Sequence, residues 1–279
     1  MLTRIALGLE YDGSHYQGWQ SQRHGPTVQS AVERALARVS GKSEAERVAV
    51  TAAGRTDTGV HASYQVLHFD AKVERPVSAW VRGTNAHLPA DIVVNWAQPV
   101  VADFHARFSA TSRTYDYVLI NRPNRPAIAR DQASWSHVPL DLHAMQTAAA
   151  YLLGEHDFSA FRSSECQAKS PVRTITALDL EQRGDVFTIR ITANAFLHHM
   201  VRNIVGTLVY VGKDVYEKSG RFPPEWMLRV LQMRDRTRAA PTFSAAGLYL
   251  TGIAYDDRFG LPQPVASNLH ALTLCFPKA

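Results

Sequence analysis

Apolar side chains alternate with other residues in several short stretches of the chain, and each such stretch predicts a β-strand. In residues 4–11, Ile5, Leu7, Leu9 and Tyr11 fall on one side, which predicts a strand with one buried face. The same reasoning predicts strands over residues 48–52, 64–69, 92–97, 115–121, 172–181, 186–193 and 248–255.

Apolar positions at helical spacing predict the helices between these strands. Thr27 can cap a helix whose apolar stripe includes Val28, Val32 and Val39. Residues 196–211 carry the strongest helical pattern in the chain. Further helices are predicted over residues 77–88, 142–153 and 224–233.

The predicted elements follow one order twice: strand, helix, strand, strand, helix, strand. That is the split βαβ, or ferredoxin-like, order. The sequence therefore predicts an α+β fold of two ferredoxin-like halves, residues 1–109 and residues 110–279. We expect the halves to join into a broad, mainly antiparallel sheet with helices on one face. A cleft between the halves is then the expected binding site.

The net charge of the chain indicates which class of partner it binds. The 279 residues are 46% hydrophobic and carry a formal net charge of +5, with an isoelectric point near 9.3. Residues 110–279 contain 19 basic and 15 acidic residues, whereas residues 1–109 contain 11 and 10. A basic excess of this size indicates a polyanionic partner.

Several classes of protein are disfavoured. Cys166 and Cys275 are far apart and lie in no Cys/His cluster, so neither a disulfide framework nor a zinc site is expected. The amino-terminal stretch is too short and too alternating for a signal peptide, and no apolar run has the length of a membrane span. A protein of the reducing cytoplasm is expected.

The candidate chemistry lies in residues 53–62, where Gly54, Arg55, Asp57 and Gly59 stand within six positions. Three interpretations compete. Asp-Thr-Gly is the triplet of aspartic proteases, but their mechanism needs two such carboxylates, and the chain contains the triplet once. The loop can instead be a structural turn in an RNA-binding module, or it can carry the single carboxylate of an enzyme acting on a nucleotide. Local chemistry leaves the last two open.

A resemblance bears on that choice. Residues 54–62, Gly-Arg-Thr-Asp-Thr-Gly-Val-His-Ala, closely resemble the catalytic motif of the tRNA pseudouridine synthase A family. The resemblance runs from about residue 4 to about residue 257. Other segments that resemble the family, in its order, are residues 10–13, 17–20, 104–110, 113–117, 156–161, 196–206 and 246–250.

The resemblance implies a tRNA-modifying isomerase. Members of this family convert uridine to pseudouridine just 3′ of the anticodon, at tRNA positions 38–40. They use no metal or organic cofactor and form homodimers. The implied partners of this chain are therefore tRNA and a second copy of itself, in the cytoplasm, with no membrane.

The resemblance also implies roles for individual residues. Asp57 would be the carboxylate that starts the reaction, and Arg202 would pair with it and orient it. Tyr115 would stack on the target uracil, Arg55 would help extrude the uridine, and Leu248 would form an apolar wall. The last four of these residues each have a structural alternative. Arg202 can be a solvated helix arginine and Tyr115 a packed sheet tyrosine. Arg55 can pair with a phosphate or a nearby carboxylate, and Leu248 can be a core leucine.

Remote contacts are expected to help hold so large a substrate. The arginines assigned to RNA binding in this way are Arg107, Arg113 and Arg125. A catalytically silent tRNA-binding protein on the same fold is the alternative function. Further candidates for phosphate contacts are Arg122, Arg130, Lys169 and Arg173.

Overall fold

A computed structural model describes residues 3–43 and 46–264 of the chain. The chain divides into two compact units. The first unit contains the described residues up to Ser112 and those from Tyr249 onward, and the second unit is Arg113–Leu248. Cys275 lies outside the described residues.

The described residues form ten β-strands and five α-helices, which confirms the predicted α+β class. The strands are β1 (Thr3–Tyr11), β2 (Thr51–Ala52), β3 (His61–Ala71), β4 (Ile92–Val100), β5 (Ala110–Asn121), β6 (Ser134–Ser136), β7 (Gly154–Asp157), β8 (Val172–Arg183), β9 (Val186–Ala193) and β10 (Leu248–Tyr255). The helices are α1 (Val28–Val39), α2 (Val77–Asn85), α3 (Leu142–Ala150), α4 (Met200–Glu217) and α5 (Glu225–Met233). Within the part of the chain that is described, no helix is both long and apolar enough to cross a membrane.

The first unit has the split βαβ order that the sequence predicts. Its strands lie in the order β4-β1-β3-β2, and all three pairings are antiparallel. Helix α1 joins β1 to β2, and α2 joins β3 to β4. The sequence-based division placed the last strand in the second half, whereas the contacts place β10 from Tyr249 onward in the first unit. The reason is that β10 pairs in parallel with β3.

Strand β1 is buried on both faces, and the prediction of one buried face is wrong. Ala6 and Gly8, on the side opposite Leu7, are buried as well. A Cβ atom on Gly8 would lie 2.0 Å from Nε1 of Trp96, so the indole of β4 covers this glycine. Small residues on the second face allow that close approach.

Strand β2 is shorter than predicted because the residues before it bond elsewhere. The amide of Val48 donates to the carbonyl of Glu33 on α1 (3.3 Å). The amide of Val50 donates to the Glu33 carboxylate (3.3 Å). Only Thr51 and Ala52 pair with β3.

The second unit contains the strand order β5-β9-β8-β7, antiparallel at each step. The register of β5 and β9 runs from Arg113 opposite Ala193 to Ile120 opposite Val186. The long segment after β5 contains the short strand β6, which pairs with β5 in parallel.

Helix α4 begins four residues later than predicted and ends six residues later. His199 precedes it with φ = 63°, a left-handed backbone conformation that does not continue a helix. His198 and His199 fall within the predicted helix of residues 196–211 but lie outside the observed one, so this part of the prediction is wrong. They form the turn before α4, and their ring centroids are 3.9 Å apart.

Candidate active site

The loop between β2 and β3, residues 53–60, is held at its start by β3. The amide of Ala53 donates to the carbonyl of Val66 (2.8 Å), which extends the ladder by one residue. The Gln65 amide nitrogen then donates to the carbonyl of Gly54 (2.8 Å). Gln65 is fully buried, so this bond is sheltered from competing water.

Thr56 ties the middle of the loop to two other segments. Its hydroxyl is 2.8 Å from that of Tyr11 on β1, and both side chains are buried. Its carbonyl accepts from the amide of Trp19 (3.0 Å). The residue before Asp57 is therefore fixed through its side chain and its backbone.

Residues 12–19 pass against the loop at very close range. The amide of Gly59 donates to the carbonyl of Tyr16 (3.3 Å). Gly18 has φ = +82°, and a Cβ there would lie 2.5 Å from the Thr56 carbonyl oxygen. Only a residue without Cβ fits both the conformation and the space.

Asp57 itself is half-buried on this rigid support. Its carbonyl accepts from the amide of Val60 (3.1 Å), which closes a turn around Thr58 and Gly59. Arg55 is exposed, and among the described residues its guanidinium makes no hydrogen bond or ion pair. The loop thus presents one carboxylate, Asp57, and one guanidinium, Arg55, on a backbone that bonds to β3 and to residues 12–19.

A polar cluster that sequence reasoning missed lies where the loop meets β3. Nδ1 of His61 accepts from the amide of Gly13 (3.1 Å) and is 3.1 Å from Oδ1 of Asp12. The His61 ring stacks on Tyr249 at 4.6 Å. Burial raises the pKa of the Tyr249 phenol, and the charge of Asp12 raises it further. In the sequence, His61 stands only as a member of the motif of residues 54–62, and no local pattern predicts its contacts with Asp12, Gly13 and Tyr249.

Tyr115 lies in the second unit on β5. It is buried, opposite Ile191 of β9. Its ring meets Phe196 edge to face, with centroids 5.0 Å apart. Packing against Phe196 holds the plane of the tyrosine ring.

Arg202 lies in the first turn of α4 and is half-buried. Its Nε donates to the carbonyl of Phe243 (2.9 Å), and the amide of Phe243 donates to the carbonyl of Arg202 (3.2 Å). These two bonds join the helix to residues 241–247. Leu248, which follows that segment, is buried, and its amide donates to the carbonyl of Ala245 (2.9 Å).

Polar side chains missed from the sequence support the same segment. The Tyr117 hydroxyl donates to the carbonyl of Ser244 (2.7 Å) and contacts the hydroxyl of Ser134. Asn203 is fully buried and accepts from the hydroxyl of Thr242 (2.7 Å) through its side chain.

The arginines assigned to RNA binding occupy different surroundings. Arg107 and Arg125 are exposed, whereas Arg113 is half-buried and donates to the carbonyl of Asn194 (3.0 Å). Among the further candidates, Arg130 is exposed and lies 3.0 Å from the carboxylate of Asp131.

The two units define an α+β protein that carries a half-buried acid on a rigid loop after a short edge strand. The family described as tRNA pseudouridine synthase matches residues 9–109 and 148–256. Because that match covers most of the chain, the chain belongs to the tRNA pseudouridine synthase family.

Individual relatives agree with the family. The tRNA pseudouridine synthase A of Dechloromonas aromatica is 55% identical over 94% of this chain and 96% of its own. That of Nitrosomonas eutropha is 56% identical over 93% and 90%. A solved Cbf5-Nop10-Gar1 complex aligns with a TM-score of 0.35 and 12% identity, over 74% of this chain and 45% of that one.

Proposed function

We propose that this protein isomerises uridine to pseudouridine at positions 38–40 of the tRNA anticodon stem-loop, in the cytoplasm. Family membership makes it a tRNA-modifying isomerase. The observation that carries the finer proposal is Asp57, which is half-buried on a loop bonded to β1, to β3 and to residues 12–19.

The reaction is an internal transfer. The N1–C1′ bond of the uridine breaks, the uracil turns, and a C5–C1′ bond forms. The proton on C5 is lost, and N1 takes up a proton, so the product is an isomer of the substrate. No net oxidation or reduction occurs, and the proposed mechanism uses no cofactor.

Asp57 starts this reaction by attack at C1′, by attack at C6, or by removal of the C2′ proton. Each route needs a carboxylate held within contact distance of one substrate atom. The fixed backbone at Thr56 and Val60 supports such positioning. Arg202 orients the carboxylate through charge-assisted hydrogen bonds, and the bond from its Nε to the carbonyl of Phe243 directs the guanidinium.

The remaining residues bind the target nucleotide. Tyr115 stacks on the uracil, and its contact with Phe196 keeps the ring ready for that role. Arg55, exposed on the loop, helps draw the uridine out of its stack or occupies the place that the uridine leaves. Leu248 forms an apolar wall. Arg107, Arg113 and Arg125 hold the tRNA backbone, and two copies of the chain act as a homodimer.

Tritium release from tRNA labelled at uracil C5 tests the activity and the site together. Wild type should release tritium, Asp57→Ala should release none above background, and Glu74→Gln, at an exposed acid of the same unit, should match wild type. A folded wild type that binds tRNA without release would favour a silent tRNA-binding protein. Full release by Asp57→Ala would remove Asp57 from the mechanism. Sequencing of pseudouridine positions in the product checks positions 38–40.

A further inference from the structure

The turn formed by residues 104–109, here called the Phe108 turn, exposes an aromatic ring. Phe108 is 77% exposed, the largest value among the large hydrophobic side chains described. Its ring stacks on His105, with centroids 4.3 Å apart and planes 27° apart. The guanidinium carbon of Arg107 is 5.7 Å from the Phe108 centroid. An apolar ring, an imidazole and a cation are thus grouped at the surface of the first unit.

The turn is rigid because His105 bonds the backbone around it. Nδ1 of His105 accepts from the amides of Arg107 (3.2 Å) and Phe108 (3.1 Å). The His105 carbonyl accepts from the amide of Ser109 (2.8 Å), and the His105 amide donates to the Ser109 hydroxyl (3.0 Å). The ring beneath Phe108 therefore also fixes the backbone that carries Phe108.

Buried groups attach the turn to the rest of the first unit. The amide of Ala106 donates to Nδ1 of His68 (3.1 Å), and its carbonyl accepts from the hydroxyl of Tyr255 (2.7 Å). Arg4 donates to the carbonyl of Phe104 (2.9 Å), whose side chain is fully buried. The Phe108 ring is accordingly presented at a fixed place.

Such an arrangement has little value for the folding of the unit, since a phenyl ring stabilises a fold by leaving water. It suits binding, because a group ordered in advance loses less entropy when its partner arrives. Exposed aromatic rings beside a guanidinium are the usual means of binding unpaired bases: the base stacks on the ring, and the cation meets the phosphate. The nearby acid Asp103 is 3.3 Å from Arg258, which offsets its charge.

We propose that Phe108 is a stacking platform for an unpaired base of the RNA substrate, with Arg107 on the adjoining phosphate. This inference rests on the proposed function for the identity of the RNA. It adds a base contact at a place other than the target uridine. The base must be unpaired or at the end of a stack, because a base within a helix has both faces covered.

Affinity for tRNA, measured by filter binding across a salt series, tests the platform. Phe108→Ala should weaken binding about tenfold at constant salt slope, since stacking involves no counterion release. Phe108→Trp should stay within about twofold of wild type. Arg107→Gln should lower the salt slope by about one. Ile128→Ala, at an apolar side chain 75% exposed in the second unit, should bind as wild type does.

Three results would overturn the platform: wild-type affinity of Phe108→Ala, equal loss in the alanine and tryptophan variants, or a loss that accompanies dissociation of a dimer in light scattering. The last would assign Phe108 to contact between two copies of the chain. Tritium release is measured in parallel. A wild type that binds tRNA without release refutes the proposed activity alone, whereas one that binds no tRNA refutes both.

Discussion

At the scale of the residue, Asp57 is placed by the side chain before it. The hydroxyl of Thr56 bonds that of Tyr11 in a buried setting. Burial raises the pKa of Tyr11 to about 12, against the opposing hydrogen bonds of Thr56 and Gln65. The phenol therefore keeps its proton throughout the neutral range, and the pair bonds without a charge.

Thr56→Val tests how much the hydrogen bond between Thr56 and Tyr11 contributes to stability and to activity. It removes one of the two side-chain partners of the buried Tyr11 hydroxyl and leaves Gln65 as the other, which should lower the free energy of unfolding by about 0.5–1.5 kcal/mol. Tritium release should fall more than tRNA affinity, because the loop supports the acid rather than the bulk of the RNA. Urea unfolding and single-turnover kinetics measure the two effects.

Tyr11→Phe is the matched control for that variant, since it removes the other partner of the same bond. The double variant should be less destabilised than the sum of the two single changes, because each already breaks the bond. Additive losses, or full activity in Thr56→Val, would show that the pair does not position Asp57.

Single residues of the site could be found from the sequence only where a local pattern marks them. The acid between two glycines marks Asp57, and the strand that follows places it on a loop. The partners of Thr56 could not be found in this way. Tyr11 stands 45 residues away along the chain, and a threonine in a turn has no signal that names a distant phenol.

At the scale of the element, the loop that carries Asp57 depends on the close passage of residues 12–19. Gly18→Ala should therefore disturb it. The new Cβ would lie 2.5 Å from the Thr56 carbonyl oxygen, which is backbone and cannot move cheaply. We expect a loss of about 1–3 kcal/mol of stability from this clash, beyond the cost of the left-handed conformation. Tritium release should fall as well.

Gly41→Ala separates the cost of the steric clash from the cost of the left-handed backbone conformation. Gly41 has φ = +73°, close to the +82° of Gly18, and a Cβ there meets no atom within 4 Å. This variant should lose only the conformational part, about 1–2 kcal/mol, and should keep its activity. Equal losses of stability in Gly18→Ala and Gly41→Ala would show that the close contact between residues 12–19 and the loop adds nothing to the cost of the substitution.

The attachment of the Phe108 turn to β3 should depend on pH. Burial lowers the pKa of His68 from 6.5 to about 4; Arg4 and His105 lower it further, and Asp70 opposes them. The folded state therefore resists protonation, and between pH 6.5 and pH 4 the unfolded state binds more protons. By linkage, the free energy of unfolding falls as the pH is lowered through that range.

His68→Asn tests this dependence. Its amide oxygen can still accept a hydrogen bond, as Nδ1 of His68 does from Ala106, but it does not titrate. The free energy of unfolding, measured in urea from pH 7 to pH 4, should fall less steeply in the variant than in wild type. Parallel curves would show that His68 is not the titrating group.

The bounds of a helix can be predicted from the sequence where the helical spacing of apolar residues begins next to a capping residue. Helix α1 begins at Val28 with Thr27 as its cap, as expected, because the threonine side chain accepts from Ser30. The start of α4 was wrong because the apolar stripe continues backward from Met200 through residues that are not helical. Neither the left-handed His199 nor the contact of Phe196 with Tyr115 is visible in a hydropathy pattern.

At the scale of the whole molecule, the order of elements was predictable and the pairing of strands was not. Alternation shows that a segment is a strand, but it does not identify its neighbour. Strand β10 is the example: its bounds agree with the prediction, yet Tyr249 pairs with His61, far back in the chain. The resemblance to a family provided the function, because it fixes several separated segments at once.

Charge is the other property of the whole molecule, and it leads to a prediction about the long segment after β5. Arg125 and Arg130 are both exposed there, but Arg130 is 3.0 Å from Asp131. The phosphates of tRNA should therefore respond more to Arg125. Arg125→Ala should weaken tRNA binding and lower the slope of log affinity against log salt by about one.

Arg130→Ala is the matched control, since it removes an arginine of the same segment whose charge a carboxylate already offsets. Arg130→Ala should change the slope of log affinity against log salt by less than half as much as Arg125→Ala does. Asp131 already neutralises Arg130, so a contact between Arg130 and a phosphate has a smaller effect on counterion release. An unchanged slope in Arg125→Ala would exclude that residue from the phosphate contacts. Equal changes of the salt slope in the two variants would show that the tRNA displaces Asp131 from Arg130. The basic residues of the second half would then attract the tRNA through their summed charge rather than through individual contacts.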